Sequence, residues 1–208
     1  MKTTPIRLII PALFLLLTSF AFIHQSIKAG KWTKLFDGKS LEGWKASENP
    51  STFTVQDGMI VVFGERAHLF YDGPFMNHNF KNFEFKLKVM TTPGSNSGLF
   101  IHTTYQDTGW PSKGYEIQVN QTHTDWRKTG SVYGVQDVKE VFVKDNEWYT
   151  QHIIVQGKRI IVKINDKVIN DYTEGDNGKL SSGTIALQGH DPKSKVYYKD
   201  IMVKALPD

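Results

Sequence analysis

The clearest alternation of apolar and polar positions lies in residues 115–120. Tyr115, Ile117 and Val119 fall on one side of the chain, and Glu116, Gln118 and Asn120 fall on the other. A period of two residues predicts a β-strand with one buried face. The polar face is unusual, because half-exposed strands such as residues 83–89 carry mostly lysine there, whereas this one carries a carboxylate and two amides. Since such groups bind sugar hydroxyls well, this row is a candidate ligand-binding face.

Short strands separated by turns account for the rest of the chain after residue 30. They are predicted at residues 32–36, 53–55, 59–63, 69–71, 83–89, 99–103, 131–135, 147–155, 159–165, 167–172, 183–190 and 196–205, with loops at 92–98, 104–113 and 121–131. Trp44 is expected to plug one end of the core, and the last strand is expected to pair near the first. Sustained helical periodicity and fixed repeats are both absent from the sequence. The pattern predicts an all-β fold, an antiparallel two-sheet β-sandwich formed by a single domain.

The first 29 residues have the composition of an export signal. Lys2 and Arg7 precede an apolar run at residues 8–23, and a region with small residues, typical of a cleavage site, ends at Ala29. This order is typical of a secretory signal peptide, and the run is shorter than the roughly 20 residues that span a bilayer. We predict a signal peptide at residues 1–29 and a mature domain at 30–208, without a stable membrane anchor after cleavage. Cleavage after Ala21 and an uncleaved anchor are the alternatives.

Charge and cysteine content narrow the function classes. Lys2, Arg7 and Lys28 lie in the signal and no acidic residue does, so the formal charge falls from +4 for the whole chain to +1 for the mature domain. The charge of the mature domain therefore gives no electrostatic reason to expect a nucleic-acid partner. The chain has no cysteine, which excludes disulfides, a thiol nucleophile and a cysteine metal knot. The oligomeric state is left open.

Two residues are candidates for proton transfer. Partial desolvation of Glu116 would raise its pKa and suit it to act as a general base; the alternative is a structural ion pair with Arg127. His190 is the candidate second group, since imidazole exchanges protons near neutral pH. A turn histidine before Asp191 is the alternative.

Polar and aromatic side chains supply candidates for holding a sugar. They are Gln118, Gln188, Asn96, Tyr133, His102 and Trp110. His102 joins Asn96 on the polar face if Leu99 and Ile101 belong to the buried set. Trp110, Trp126 and Tyr105 lie on predicted loops, where rings commonly stack on sugars. The alternatives are that the polar side chains lie on solvated strand faces and that the aromatic rings form a lid over the core.

The sequence predicts no metal site and no cofactor, although a divalent cation held by backbone carbonyls stays possible. The histidines outside the candidate site lack the spacing of zinc ligands. They are His68, His78, His123 and His152.

Several segments together resemble the DUF1080 family, the 3-keto-disaccharide hydrolase-like domain. Residues 35–44 (LFDGKSLEGW), 96–100 (NSGLF), 114–119 (GYEIQV), 129–134 (TGSVYG), 147–148 (EW) and 185–190 (IALQGH) are similar to its successive blocks. The resemblance spans residues 32–206. It implies a concanavalin-like jelly roll exported to the periplasm or cell surface of bacteria.

The resemblance also implies an activity, the cleavage of glycosides already oxidised to a ketone at sugar C3. Such a ketone acidifies the C2–H bond, so one base and one proton donor suffice for elimination, and water then adds back. Ordinary glycosidases need two carboxylates, and jelly-roll glucanases carry Glu-x-Asp-x-Glu where residues 116–120 read Glu-x-Gln-x-Asn. His102 stands where the family frequently has arginine. A non-catalytic carbohydrate-binding module of the same fold and an envelope scaffold are the alternatives.

Overall fold

The computed structural model describes residues 30–208, so the predicted signal peptide lies outside the described residues. The strands are β1 Thr33–Lys34, β2 Trp44–Ala46, β3 Phe53–Gln56, β4 Met59–Phe63, β5 Ala67–Tyr71, β6 Phe83–Thr91, β7 Asn96–Thr103, β8 Tyr115–Asn120, β9 Tyr149–Gln156, β10 Arg159–Ile164, β11 Lys167–Thr173, β12 Thr184–Gly189 and β13 Lys195–Ala205. Two single-turn 3-10 helices, Pro50–Thr52 and Phe75–His78, are the helices of this part of the chain. None of them is long enough to cross a bilayer.

The strands form two antiparallel sheets packed face to face. One has the order β11-β10-β9-β6-β13-β4-β3, with β1 added beside β13, and the other has the order β2-β5-β12-β7-β8. This arrangement confirms the predicted all-β two-sheet sandwich in a single domain. It also confirms that the last strand pairs with the first.

The core lies between the sheets and follows the alternation of the strands. Phe83, Phe85, Leu87 and Val89 of β6 are fully buried against the inward residues of the other sheet. Trp44 belongs to this core, as expected, and its indole Nε1 donates to the Leu35 carbonyl at 2.9 Å. It lies on β2, the edge strand of the five-stranded sheet.

Two predictions about local structure were wrong. Residues 131–135 form isolated bridges at Val132 instead of a strand, because Gly130 and Gly134 adopt positive φ and turn the chain on either side. Residues 92–98 are not all loop, since β7 begins at Asn96, which pairs with Asn120 of β8. The Asn-Ser-Gly sequence looks like a turn but is held extended by its neighbouring strands.

The outer face of the five-stranded sheet carries its own small apolar cluster. Phe70, Phe100 and Ala186 come from three adjacent strands, and Tyr105 packs against them. Outward-facing positions on a two-sheet sandwich are ordinarily polar. An apolar floor between polar rows is the first sign that this face receives a ligand.

Candidate active site

A cavity of about 360 Å³ opens on the outer face of the five-stranded sheet. It is lined by Asn96, Phe100, Trp110, Pro111, Glu116, Gln118, Tyr133, Gln188 and His190. Its volume lies within the range of small-molecule sites, roughly 300–1,000 Å³. The structure thus brings together seven of the eight site residues selected from the sequence, from strands and loops far apart along the chain.

Glu116 is half-buried in this cavity and is held by an amide instead of a cation. Gln188 Nε2 donates to Glu116 Oε1 at 2.8 Å. Arg127, the alternative partner considered above, pairs with Asp125 at 3.7 Å and with Asp137 at 3.2 Å. Burial raises the pKa of Glu116 to about 7, the Gln188 hydrogen bond opposes this rise, and the negative charge of Asp125 adds to it. Such a carboxyl group can take up and release a proton near neutral pH.

Gly98 makes the room that Glu116 occupies. It lies on β7 beside the Glu116 strand, and a Cβ atom at this position would stand 2.2 Å from Glu116 Oε1. The backbone of Gly98 is not in the left-handed region, so the glycine is needed for space and not for conformation. The Asn-Ser-Gly segment therefore belongs to the construction of the cavity.

His190 stands at the cavity wall with one ring nitrogen fixed by a carboxylate. Its Nδ1 lies 2.8 Å from Asp191 Oδ2, which also accepts from the Ser194 hydroxyl at 2.8 Å. The Trp110 ring lies 5.4 Å from the His190 ring. Because Nδ1 is occupied, Nε2 is the nitrogen left for a ligand. A carboxylate that fixes one imidazole nitrogen sets the tautomer that the other presents.

Amide groups form the floor of the cavity. The Gln118 and Asn96 side chains lie 3.1 Å apart, and the Gln118 amide nitrogen reaches Glu116 Oε1 at 3.1 Å when the amide is turned toward it. The Gln188 Oε1 atom is buried and has no hydrogen-bond partner within residues 30–208. The floor therefore offers both donors and acceptors to the hydroxyl and carbonyl groups of a bound molecule.

Tyr133 and Trp110 lie at the rim of the cavity and are 38% and 46% exposed. The Tyr133 hydroxyl donates to Asp125 Oδ2 at 2.9 Å. Neither Trp126 nor Tyr105 lines this cavity. Trp126 packs on the Arg127 guanidinium, at 4.7 Å from the ring centre.

The structure separates His102 and Asn120 from the cavity. His102 has φ +53°, which breaks the alternation of β7 and turns the ring inward, where it lies 5.6 Å from the Phe83 ring. Its Nε2 lies 2.8 Å from the Lys81 carbonyl, and its Nδ1 accepts from the Ser181 amide. The expectation that His102 joins Asn96 on the polar face was therefore wrong.

Asn120 shares the polar face of its strand but stabilises a loop. Its Nδ2 donates to the carbonyls of Asp125 and Arg127, at 2.9 and 2.8 Å. Of the row Glu116, Gln118 and Asn120, the first two thus line the cavity and the third shapes the loop beside it.

A cluster of possible metal ligands, which sequence spacing did not reveal, borders the cavity. The ligand atoms of His123, His190 and Asp191 lie within 4.8 Å of one another. The His123 and His190 rings are 5.5 Å apart. Two nitrogens and a carboxylate oxygen are a donor set that suits zinc, and small side-chain movements would bring them to bonding distances of about 2.0–2.2 Å. His123 and His190 are 67 positions apart in the sequence, which explains why no local motif indicated the cluster.

A family model of 3-keto-alpha-glucoside-1,2-lyase-like domains matches residues 31–204. The chain belongs to this family. The lyase-like domain is also similar to solved structures of two candidate glycosyl hydrolases from Parabacteroides distasonis. One has a TM-score of 0.72 and 23% identity and covers 85% of this chain and 94% of its own; the other has a TM-score of 0.69 and 24% identity and covers 85% and 100%.

A carbohydrate-binding module also resembles the lyase-like domain. It is the module CBM66 from Bacillus subtilis, with a TM-score of 0.59 and 13% identity over 78% of this chain and 96% of its own. At these identities the solved structures establish the shared fold alone. No curated protein matches the sequence.

Proposed function

We propose that this lyase-like domain cleaves glycosidic bonds of 3-keto-glycosides by elimination and rehydration, with net hydrolysis as the outcome. The observation that carries the proposal is Glu116, a single carboxylate in a sugar-sized cavity, whose pKa burial raises to about 7. A binding module has no need for a carboxyl group tuned to neutral pH. An acid–base catalyst does.

In the proposed mechanism, Glu116 removes the proton from C2 of the oxidised sugar. The C2–H electron pair first forms an enolate, with the negative charge on the C3 oxygen. The enolate then collapses to a C1=C2 double bond as the C1–O bond breaks, and the departing oxygen takes a proton from Nε2 of the His190 imidazolium. Water then adds across the double bond: its hydroxyl joins C1, its remaining proton goes to His190 Nε2, and protonated Glu116 returns a proton to C2. Gln118 and Asn96 donate hydrogen bonds to the C3 oxygen while it carries enolate charge.

The cavity suits elimination better than the two-carboxylate mechanism of ordinary glycosidases. Within residues 30–208, Glu116 is the one carboxylate among the residues that line it. Asp191 borders the cavity but is held by His190 and Ser194. Direct hydrolysis requires a second carboxyl group that flanks the bond, whereas elimination next to a ketone requires one base.

The direct test is incubation of the protein with a 3-keto-disaccharide and with its unoxidised parent. We expect release of monosaccharide from the oxidised sugar and none from the parent. Exchange of the C2 hydrogen with deuterium from solvent during turnover would support the elimination step. Binding of the 3-keto-disaccharide without cleavage would overturn the proposal in favour of a carbohydrate-binding module.

We propose further that the protein is exported, with the signal at residues 1–29 removed after Ala29. The support is the order of charged, apolar and small residues in that segment. N-terminal sequencing of protein recovered outside the cytoplasm would give Gly30 as the first residue. An intact N-terminus would overturn this proposal.

The activity should rise with pH through about 7. Glu116 must be ionised to accept the C2 proton, so kcat/KM should fall tenfold per pH unit well below the pKa of Glu116. Asp125→Asn removes a negative charge that raises the pKa of Glu116, so the midpoint of the acid limb should move to lower pH. An acid limb centred near pH 4.5 would contradict a desolvated base.

Zinc should inhibit the reaction. The metal would bind His190 together with His123 and Asp191 and remove the nitrogen that donates the proton. His123→Gln removes one ligand, so the Zn²⁺ concentration for half-inhibition, measured against that variant's own activity, should rise about tenfold. Equal sensitivity of both proteins would place zinc elsewhere, and activation by zinc would contradict the role of His190.

A further inference from the structure

A second cavity, of about 270 Å³, lies on the same face of the five-stranded sheet, at the other end of β12. We call it the lysine cavity, because Lys45 and Lys113 line it with Phe70, Tyr105, Thr103 and Thr184. The mechanism proposed above uses none of these side chains. Their chemistry therefore needs a separate explanation.

The two cavities are ends of one continuous surface. Gln188, Ala186 and Thr184 lie on the same face of β12, and the four steps along the strand from Gln188 to Thr184 span roughly 13 Å. Gln188 lines the first cavity and Thr184 lines the second. This separation exceeds the width of one sugar ring, so a ligand that fills both cavities has at least two sugar units.

The surface between the cavities is apolar. Ala186 pairs with Phe70 on one side and with Phe100 on the other, so the three side chains lie side by side across three strands. Phe100 lines the first cavity and Phe70 lines the second. Aromatic side chains flanking a small residue form a shallow depression on which the apolar face of a sugar can pack.

The lysine cavity carries a net positive charge, from two lysines and one carboxylate. The Lys45 ammonium lies over the Tyr105 ring at 3.6 Å, and the Lys113 ammonium donates to the Ser182 carbonyl at 2.7 Å. Within residues 30–208 neither lysine forms an ion pair. Asp72, the carboxylate among the described lining residues, lies 3.6 Å from His78 Nε2.

Two further features indicate that the lysine cavity is built for a ligand. The Thr103 hydroxyl is buried and has no hydrogen-bond partner in the described part of the chain, which is costly unless something binds there. Two lining residues, Asn77 and His78, have φ of +50° and +44°, and Met76 before them has φ of +53°. Strained backbone of this kind persists where the surroundings enforce it, often at ligand sites.

We propose that the lysine cavity binds the leaving-group unit of the substrate and that this unit carries a carboxylate, as in a uronic or aldonic acid. The orientation rests on the proposed function, because the oxidised ring must lie beside Glu116. Lys45 and Lys113 pair with the carboxylate, Tyr105 packs on the sugar, and Thr103 bonds a hydroxyl. The substrate class is therefore an acidic 3-keto-glycoside.

Matched pairs of unoxidised ligands test this inference without requiring cleavage. Cellobionic acid and cellobiitol, and maltobionic acid and maltitol, differ within each pair only by a terminal carboxylate in place of an alcohol. At low salt, calorimetry should show that the acid of at least one pair binds about fivefold more tightly than its alditol, because the acid forms two partly exposed ion pairs. The double variant K45A/K113A should abolish this preference. In 0.5 M salt the Debye length is about 4 Å, so screening should reduce the preference.

The control variant is K31A/K144A, which removes two exposed lysines outside the lysine cavity and should keep the preference. Equal affinity for acid and alditol, a preference that survives in K45A/K113A, or no binding of either pair would overturn the inference. A preference without cleavage of 3-keto-disaccharides would overturn the proposed function alone. Cleavage without a preference would overturn this inference alone.

Discussion

Glu116→Gln is expected to lower kcat for 3-keto-disaccharide cleavage by about 10³-fold, within the range of general base catalysis. Glutamine keeps the shape of the side chain, but it cannot take the C2 proton. Its amide can still meet Gln188, whose own amide can turn to present oxygen. The dissociation constant of the substrate should therefore change little, which calorimetry with the inactive variant measures directly.

The same substitution should make the protein more stable in alkaline solution. Folding raises the pKa of Glu116 from 4.5 to about 7, so the folded state prefers the protonated form. That preference is fully present below pH 4.5 and is lost as the pH rises through 7. Neutral glutamine avoids the loss, so the free energy of unfolding above pH 8 should rise by up to about 3 kcal/mol, with little change at pH 4.

Glu84→Gln is the matched control on the opposite sheet. Burial raises the pKa of Glu84, but the contacts with Lys204 and His152 outweigh burial and hold it below its ordinary value. Its replacement should therefore destabilise the protein at neutral pH and leave turnover intact. Full activity of Glu116→Gln, or a loss of stability like that of Glu84→Gln, would show that Glu116 is a structural carboxylate.

The candidate site was largely predictable because its chemistry follows strand alternation. Glu116 and Gln118 face the same way on β8, and Gln188 does the same on β12, so period-two patterns in the sequence identify all three. Adjacent strands then bring them together. A pattern that is local in the sequence becomes a cavity through regular sheet geometry alone.

The failures share one cause, which is that backbone irregularities and tertiary contacts leave no periodic signal. His102 continues the alternation of β7 in the sequence, but its positive φ turns the ring to the inner side. His123 comes from a loop and reaches His190 only through the folded chain. Asn120 fits the polar row, yet it bonds the loop that follows it. Side-chain direction at such points depends on partners that the sequence does not specify.

The site is deeper than strand alternation alone predicts. Alternation predicts an exposed polar face, whereas Gln118 is fully buried and Glu116 is half-buried. Trp110 and Tyr133, which line the cavity with them, come from two segments that form no strand in the structure. Burial, and not residue identity, gives Glu116 its raised pKa. The property that makes this carboxyl group useful is thus tertiary in origin.

Gly98→Ala is expected to lower kcat by about 10²-fold with little loss of fold. The new methyl group would stand 2.2 Å from Glu116 Oε1 and 2.8 Å from its Cδ atom, so the carboxylate must move. Movement breaks the 2.8 Å hydrogen bond with Gln188 and displaces the base from the C2 proton. A misplacement of about 1 Å is enough for a loss of this size.

The comparison that isolates this steric effect is Gly175→Ala. Gly175 has no atom within 4 Å of its Cβ position and, like Gly98, has no positive φ. The Gly175→Ala variant should therefore keep full activity. Gly98→Ala should unfold within a few degrees of the parent, because the displaced atoms belong to the end of a flexible side chain. Undiminished turnover in Gly98→Ala would mean that the reaction does not depend on where the Glu116 carboxylate stands, and the elimination mechanism would then lose its base.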